Sequence, residues 1–537
     1  MARVHSQWFH VEQVEQELLL RRLEPIKTGY HQGLRCMDGT RKSRLKEILD
    51  WVANKSEEQD LLQSNTYWIY GLPGIGKTSL AHSICADLHD QGQLAGVFFC
   101  RRDDQNLSEP RNILPTLIYK LAGIFPPFRR IVANCLRNDP NITPESMKKS
   151  LFLDLLHALP HGPNHSLVFV IDAFDECGDD RSRPRLLELL TGAATGASWL
   201  KIIITSRPEA DIQQSFDGLT KSSYFKYDLV TDQEASGDLR SFARSEFELV
   251  ARKQYLPAPW PEEWLLNRVV SRSNGLFIFI KTLVLALKRC ENPTEFLREN
   301  SEDSAGAGLN AVYTLYSSIL KSRIVHSNAE FQRMIGVLLT AAPYRALHED
   351  TIAELAGVRQ NLVKMWVDDL SSLLYRDEGT NGGIRVRHLS ISDFLVSDDC
   401  PSDYRINPRD INVQLGIACL NTMISQLRFN VCGLEDSRLA NADVKDLPSR
   451  IIENISDCLQ YSSLYWSNHL CFTPDNNARR VWDSLEEFFE GLCPLFWVEV
   501  LSILGMVPMG APSIRRLISW AKVSPAPVCI LGNSDWQ

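Results

Sequence analysis

Four short apolar runs stand out of an otherwise mixed chain: Tyr67-Trp68-Ile69-Tyr70, Gly96-Val97-Phe98-Phe99-Cys100, Leu167-Val168-Phe169-Val170-Ile171 and Lys201-Ile202-Ile203-Ile204-Thr205. Each is continuous rather than alternating and rich in β-branched or aromatic residues. That pattern predicts strands buried on both faces, as in a parallel sheet covered by helices. Between the runs the apolar positions change to helical spacing, at Leu80, Ile84 and Leu88, over Ile113 to Leu121, and over Arg185 to Leu190. Strand and helix alternate, so residues of about 65–215 are expected to form a doubly wound α/β domain.

The flanks read differently. Residues 1–34 carry a short helical pattern (Val11, Val14, Leu18), expected as a docking helix or a fraying terminus. Arg41 to Val52 is amphipathic, with Leu45, Ile48, Leu49 and Val52 on one face. Beyond Gln214 the patterns over 230–300 and 310–375 are helical, without strong strand runs, and Ser301 to Gly308 between them reads as a flexible joint. Leu373-Leu374-Tyr375 and Ile384-Arg385-Val386-Arg387 flank a turn-rich stretch, Asp377 to Gly383, which predicts a β-hairpin and, after helices, the wing of a winged-helix domain. Residues 411–520 return to helical patterning, rich in Leu, Tyr and Trp. The expected divisions are 1–34, the α/β domain over 35–215, helical 216–300, winged-helix 309–400 and a second helical domain over 401–537. Gly275 to Leu287 is too short to span a membrane and holds Lys281, while Leu492 to Pro512 is broken by Pro494, Glu499 and Pro508. Both are expected as buried helices.

Composition narrows the class. A chain of 537 residues, 44% hydrophobic, can bury several cores, about three or four domains by length. The formal charge is −9, from 57 basic against 66 acidic residues, with no dense Lys/Arg run, which argues against nucleic acid as the main partner. Thirteen cysteines are scattered without a CxxC pair or zinc spacing, and Met1-Ala2-Arg3-Val4-His5 lacks an apolar signal core. A reducing cytoplasm is the expected compartment.

The strongest chemical signal is Gly71-Leu72-Pro73-Gly74-Ile75-Gly76-Lys77-Thr78, followed by Ser79. Two glycines frame four residues, then come Lys and a hydroxyl. Glycines allow a ring of backbone N–H groups aimed at phosphate oxygens, Lys77 supplies a charge for the β/γ-phosphates, and Thr78 is placed for Mg2+. A strand before and a helix after present a helix N-terminus to the anion. A second acidic strand end is needed, and Asp172 supplies it, as a metal residue opposite Thr78. Asp175 and Glu176 follow as candidates to orient or deprotonate the attacking water, or else as helix-capping and solvent-facing acids. Arg207 ends the run Lys201 to Thr205 and is placed to reach the γ-phosphate, with a structural salt bridge as the alternative.

GLPGIGKTS, VIDAFDEC and IIITSRPE, in that order and spacing, resemble the fungal NACHT nucleoside triphosphatases, whose first half is called nephrocystin-like. Cys36 to Arg41 resembles the family's lead-in segment. The resemblance covers about 35–510 and is most specific in the first half. It implies a signal-transducing switch, closed with ADP and open for self-association with triphosphate. His388-Leu389-Ser390-Ile391-Ser392-Asp393-Phe394-Leu395 resembles the motif that follows the wing in such proteins. The resemblance implies that His388 touches the β-phosphate of bound ADP and latches the winged helix over it; read from the residues, Ser390 with Asp393 looks like a capping-box helix start. Many members continue into a WD-repeat propeller or another solenoid, which Pro525 to Trp536 does not resemble. The nucleotide is ATP or GTP; no guanine-reading Asn/Thr-Lys-x-Asp motif follows the loop, which favours adenine. Two alternatives stay open, an ordinary NTPase with fast turnover and a nucleotide-binding scaffold or adaptor.

Overall fold

The structure, a computed structural model, describes residues 2–55, 64–142, 149–159, 161–220, 223–232, 234–301, 307–324, 328–377, 382–436, 439–470 and 478–524. By contact the chain divides into two compact units, Met1–Leu315 and Tyr316–Gln537.

The first unit is built on a five-stranded parallel sheet: β1 (Thr66–Tyr70), β2 (Leu94–Phe99), β3 (Leu167–Asp172), β4 (Leu200–Ser206) and β5 (Tyr224–Asp228), in the order β2-β3-β4-β1-β5. The four expected runs are β1 to β4. β3 and β4 are buried at every position, because neighbouring strands and helices on both faces leave them no contact with water. The fifth strand lies outside the four expected runs and beyond the expected domain end at 215. Tyr224-Phe225-Lys226-Tyr227-Asp228 is an edge strand, half-exposed throughout, so the continuous apolar signal of a central strand is absent. The sheet therefore runs past residue 215.

The N-terminal helix α1 (Ala2–Arg21) docks by a face other than the patterned one. Leu20 and Leu23 are buried, whereas Val14 and Leu18 stand 48% and 61% exposed. Arg22 fixes it, donating to the carbonyls of Leu136 and Pro140, each at 2.6 Å, just beyond and at the end of helix Pro126–Asn138. The chain then crosses the free edge of β2, where the Thr28 hydroxyl accepts from Phe99 N at 3.1 Å. This covers an edge otherwise open to pairing. Helix α2 (Lys42–Val52) buries Ile48, Trp51 and Val52, a face rotated slightly from the expected one. Ser182–Gly196 contains the expected Arg185 to Leu190 helix, and α3 (Lys77–Asp90) follows β1. Two helices matter further on: α4 (Ala235–Gln254) and α5 (Phe277–Leu287), the latter the buried helix expected around Lys281. The joint expected over Ser301 to Gly308 lies largely outside the described residues.

The second unit is helical apart from one hairpin. Helices Glu349–Ala356 and Gln360–Asp369 precede β6 (Leu374–Asp377) and β7 (Gly383–Val386), which pair antiparallel with Leu374 opposite Val386. Arg385 Nε donates to Asp377 Oδ2 at 2.8 Å across the hairpin; the turn expected between the strands falls largely outside the described residues. Helix α6 (Leu389–Val396) follows, then a layer in which Pro408–Gln426 packs along Asp457–Leu470. The Leu492 to Pro512 region forms helix Cys493–Ile503, a short turn and the start of Gly510–Val523. It is only half-buried, with Leu495 66% exposed, so the expectation of a buried helix holds for Trp497, Val500, Leu501 and Ile503. Among the described residues no helix is long and apolar enough to cross a membrane, and the described cysteines are free thiols.

Candidate functional site

β1, β3 and β4 run parallel, so their carboxyl ends open on one edge of the sheet, and each delivers polar groups there. β1 passes at Tyr70 into the loop Gly71–Gly76 and then α3. Two glycines turn the chain, Gly74 at φ +80 and Gly76 at φ +101, in the left-handed region that side chains avoid. At Gly74 there is no room either: a Cβ would stand 2.1 Å from Ile278 Cγ2. Gly76 is the N-cap of α3, so the helix's free N–H groups face the loop.

Lys77 Nζ folds back over the loop, donating to the carbonyls of Gly71 at 2.7 Å and Leu72 at 3.0 Å. Burial lowers its pKa to about 8, against the pull of Asp175 and Asp172. The Thr78 hydroxyl lies beside the Asp172 carboxylate, near enough to favour its charged form. Asp172 is 2% exposed, and its Oδ1 accepts from the Thr205 hydroxyl at 2.5 Å. Burial pushes the Asp172 carboxyl above its ordinary range, and the Thr205 and Thr78 hydroxyls pull it back. Thr205 Oγ1 in turn accepts from Ala173 N at 3.1 Å, which fixes the turn out of β3.

That turn, Phe174–Glu176, is entered through Ala173 at φ +53 and carries the other two acids. Asp175 is buried; its Oδ1 accepts from Arg207 N at 2.8 Å, and its Oδ2 lies 3.4 Å from Arg207 Nε without a hydrogen bond. Glu176 Oε2 accepts from Arg102 N at 3.2 Å, and burial, followed by the neighbouring Asp175 charge, raises its pKa to about 7. Arg183 steadies the same turn through the Asp175 carbonyl at 3.3 Å.

Thus Lys77, Asp172, Asp175, Glu176 and Arg207 form one electrostatic cluster, with Thr78 joined to it through Asp172. Ser79 lies in the first turn of α3, its carbonyl accepting from Ser83 Oγ at 3.1 Å. His388 belongs to the second unit. It is itself the N-cap of α6, its Nδ1 accepting from Ser390 N at 3.2 Å, so the capping role read for Ser390 falls to the histidine. Ser390 Oγ instead bonds His388 Nδ1 at 2.6 Å and the Tyr316 hydroxyl at 2.8 Å.

Sequence reasoning passed over Thr205, although its place two residues before Arg207 at a strand end was legible. It also passed over Arg41, whose acidic partners lie nearly two hundred residues further along. Among the described residues no group of three or more His, Cys, Asp and Glu side chains is arranged to hold a metal ion. A divalent cation at this edge would instead draw oxygens from Thr78, Asp172 and the phosphates it accompanies. A hydroxyl beside a buried carboxylate, near a lysine and an Asp175 Oδ2 without a hydrogen bond, suits that use.

Fold and site define a phosphate-loop nucleoside-triphosphatase domain. Residues 47–207 match the family described as Nephrocystin 3, N-terminal, a stretch that contains GLPGIGKTS, VIDAFDEC and most of IIITSRPE. The vegetative incompatibility protein HET-E-1 of Podospora anserina is 25% identical over 507 residues, covering 88% of this chain and 36% of that protein. The chain thus spans about a third of the length of this curated relative. Similar solved structures include a Walker-type ATPase of Pyrococcus abyssi (12% identity, TM-score 0.33, 70% of this chain and 100% of that one). Another is the Orc1 protein of Aeropyrum pernix in complex with DNA (13% identity, TM-score 0.28, 71% and 96%).

Proposed function

We propose that the chain is a nucleotide-dependent signalling switch that binds a nucleoside triphosphate with Mg2+ and hydrolyses it slowly. One observation carries the reading: a buried Asp172 carboxylate stands at the sheet edge with the Thr78 hydroxyl and Lys77 beside it and Glu176 close by. In it, the backbone of Gly71 to Gly76 and the first turn of α3, Lys77 to Ser79, bind the phosphates, and Lys77 sits at the β/γ position. Thr78 and Asp172 hold the cation, which when bound neutralises charge on the phosphate oxygens. Glu176, raised to about 7, accepts a proton from the attacking water. Asp175 keeps Arg207 at the edge where a γ-phosphate would compete for the guanidinium. The base is adenine in preference to guanine, so ATP over GTP, since no guanine-reading motif follows the loop.

The domain divisions proposed are 1–34, 35–215 extended to 228 at the end of β5, with the next correspondingly 229–300, then 309–400 and 401–537. Two helices, a hairpin and a further helix over 349–396 support a winged helix in the fourth. The relative's name, a vegetative incompatibility protein, favours signalling over metabolism. His388 is then the latch on ADP, and triphosphate frees the winged helix for self-association in the cytoplasm. Moving such an equilibrium from 1:99 to 99:1 takes about 5.5 kcal/mol of differential affinity.

The test is to release and identify the nucleotide carried by the purified chain, beside Lys77→Ala and His388→Ala. ADP in the wild type, none in Lys77→Ala and triphosphate or nothing in His388→Ala is the expected outcome. An empty wild type with steady hydrolysis near ten per second, the rate of typical enzymes, would leave an ordinary NTPase instead.

A further inference from the structure

Two successive carbonyls of the phosphate loop are held from outside by other segments of the first unit. Gly74 O accepts from Ile278 N, in the first turn of α5, at 3.2 Å. Ile75 O accepts from Arg41 Nη2 at 3.2 Å. Arg41 is 3% exposed and sits at φ +54, immediately before α2. Its Nη1 pairs with the Asp232 carboxylate, and its backbone N–H donates to Asp238 Oδ2 at 2.8 Å. Its guanidinium carbon lies 5.8 Å from the centre of the Phe277 ring. Asp232 lies just ahead of α4 and Asp238 in its first turn, so one residue, through its side chain and its backbone N–H, ties α4 to the loop.

The peptide plane gives this tie a consequence. In a trans peptide the C=O of one residue and the N–H of the next point in opposite directions. Holding Ile75 O outward therefore aims the Gly76 N–H inward, toward where phosphate oxygens are cradled. The planar guanidinium serves both acceptors with separate nitrogens, which a single ammonium does not do.

We propose that Arg41 is a positioning residue that makes phosphate-loop geometry depend on α4, so that nucleotide is held tightly only while α4 is docked. The proposal rests on the nucleotide-site reading above and names a regulation of that site. Displacing α4 withdraws Asp232 and Asp238, releases the guanidinium from Ile75 O and lets the Gly76 N–H turn away. Nucleotide exchange is then driven from the helical segment without any contact between that segment and the phosphates.

The experiment measures dissociation of N-methylanthraniloyl-ADP with Mg2+ from the full chain, together with the melting temperature of the nucleotide-free protein. Arg41→Lys keeps a cation for Asp232 and loses the hold on Ile75 O. Its dissociation rate is expected to rise about tenfold, the scale of one charge-assisted hydrogen bond, with little change in melting. Asp232→Asn is expected to do the same, and the double variant to go no further than either single one. A wild-type rate in Arg41→Lys, with binding abolished in Lys77→Ala, overturns the proposal and leaves the site reading standing. A faster rate in Arg41→Lys but not in Asp232→Asn or Asp238→Asn also overturns it, because Arg41 would then act as a direct ligand. Should Arg41→Lys fail to fold, the two aspartate variants decide alone. No binding of the probe by the wild type removes the site reading and the proposal together.

Discussion

Arg207 holds Asp175 twice, through its backbone N–H on Oδ1 at 2.8 Å and its Nε at 3.4 Å from Oδ2. The carboxylate is buried and the guanidinium mostly so. Removing one partner strands the other's charge in a poorly solvated place. Arg207→Ala is expected to lower stability by about 3 kcal/mol, read by chemical denaturation of the nucleotide-free chain. Adding Asp175→Asn should restore a large part of that loss; a further fall would mean that the pair does not act as a unit.

The two ionisable groups with the largest consequences for chemistry have pKa values of about 7 (Glu176) and about 8 (Lys77) in the free protein. Glu176 must be ionised to accept a proton, and Lys77 must be protonated to hold phosphate. kcat/KM for hydrolysis, which reports the free protein, should therefore rise as pH passes about 7 and fall above about 8. Glu176→Gln should abolish the rising limb and cut turnover by about 100-fold or more while nucleotide remains bound. Stability has its own sign. Between the ordinary carboxylate range and about 7 the folded state keeps the Glu176 proton, so stability falls as pH rises there. Between about 8 and the usual lysine range the unfolded state keeps the Lys77 proton, so stability rises with pH.

Thr205 joins β4 to the β3 turn through one hydroxyl, which donates to Asp172 Oδ1 and accepts from Ala173 N. Thr205→Val keeps the shape and strips both bonds. A cost of about 1–3 kcal/mol is expected, with Asp172 shifted further upward and more Mg2+ needed for half-maximal hydrolysis. Thr205→Ser should recover most of both, which magnesium titration and thermal melting would show.

Gly74→Ala confronts the loop with two obstacles, the left-handed φ of +80 and Ile278 Cγ2 at 2.1 Å. The backbone alone costs about 1–2 kcal/mol, and the collision must displace either α5 or the loop. Nucleotide binding should be lost or weakened at least tenfold while the far-ultraviolet circular dichroism stays native. Ile278→Ala in the same chain takes away Cγ2 but leaves Cβ 2.6 Å from the new methyl, so it should return only a small part of the affinity, measurable by the same titration.

Much of the fold was legible because its signals are local. Ile202-Ile203-Ile204 reads as a covered strand from composition alone, and Gly71 to Thr78 reads as a phosphate loop because glycine φ freedom and the lysine lie within eight residues. β5 was not legible: Tyr224 to Asp228 gains its strand conformation from pairing with β1, and half-exposed edge positions carry no continuous apolar signature. Helix α1 misled for a related reason. Its patterned residues Val14 and Leu18 face outward, because Leu20, Leu23 and the Arg22 contacts decide how it docks.

By itself the sequence determined the alternation of strand and helix, the phosphate loop, and the acids at the end of β3. These follow from backbone freedom and from periodicity, which act over a few residues. Only the tertiary structure decided that Thr205 supports Asp172, that Arg207 leans on Asp175, and that Arg41 spans from the loop to Asp232 and Asp238. Those pairings join residues from 32 to 197 positions apart. A buried charge must find a partner wherever folding brings one, and the linear spacing of the residues carries no trace of that search.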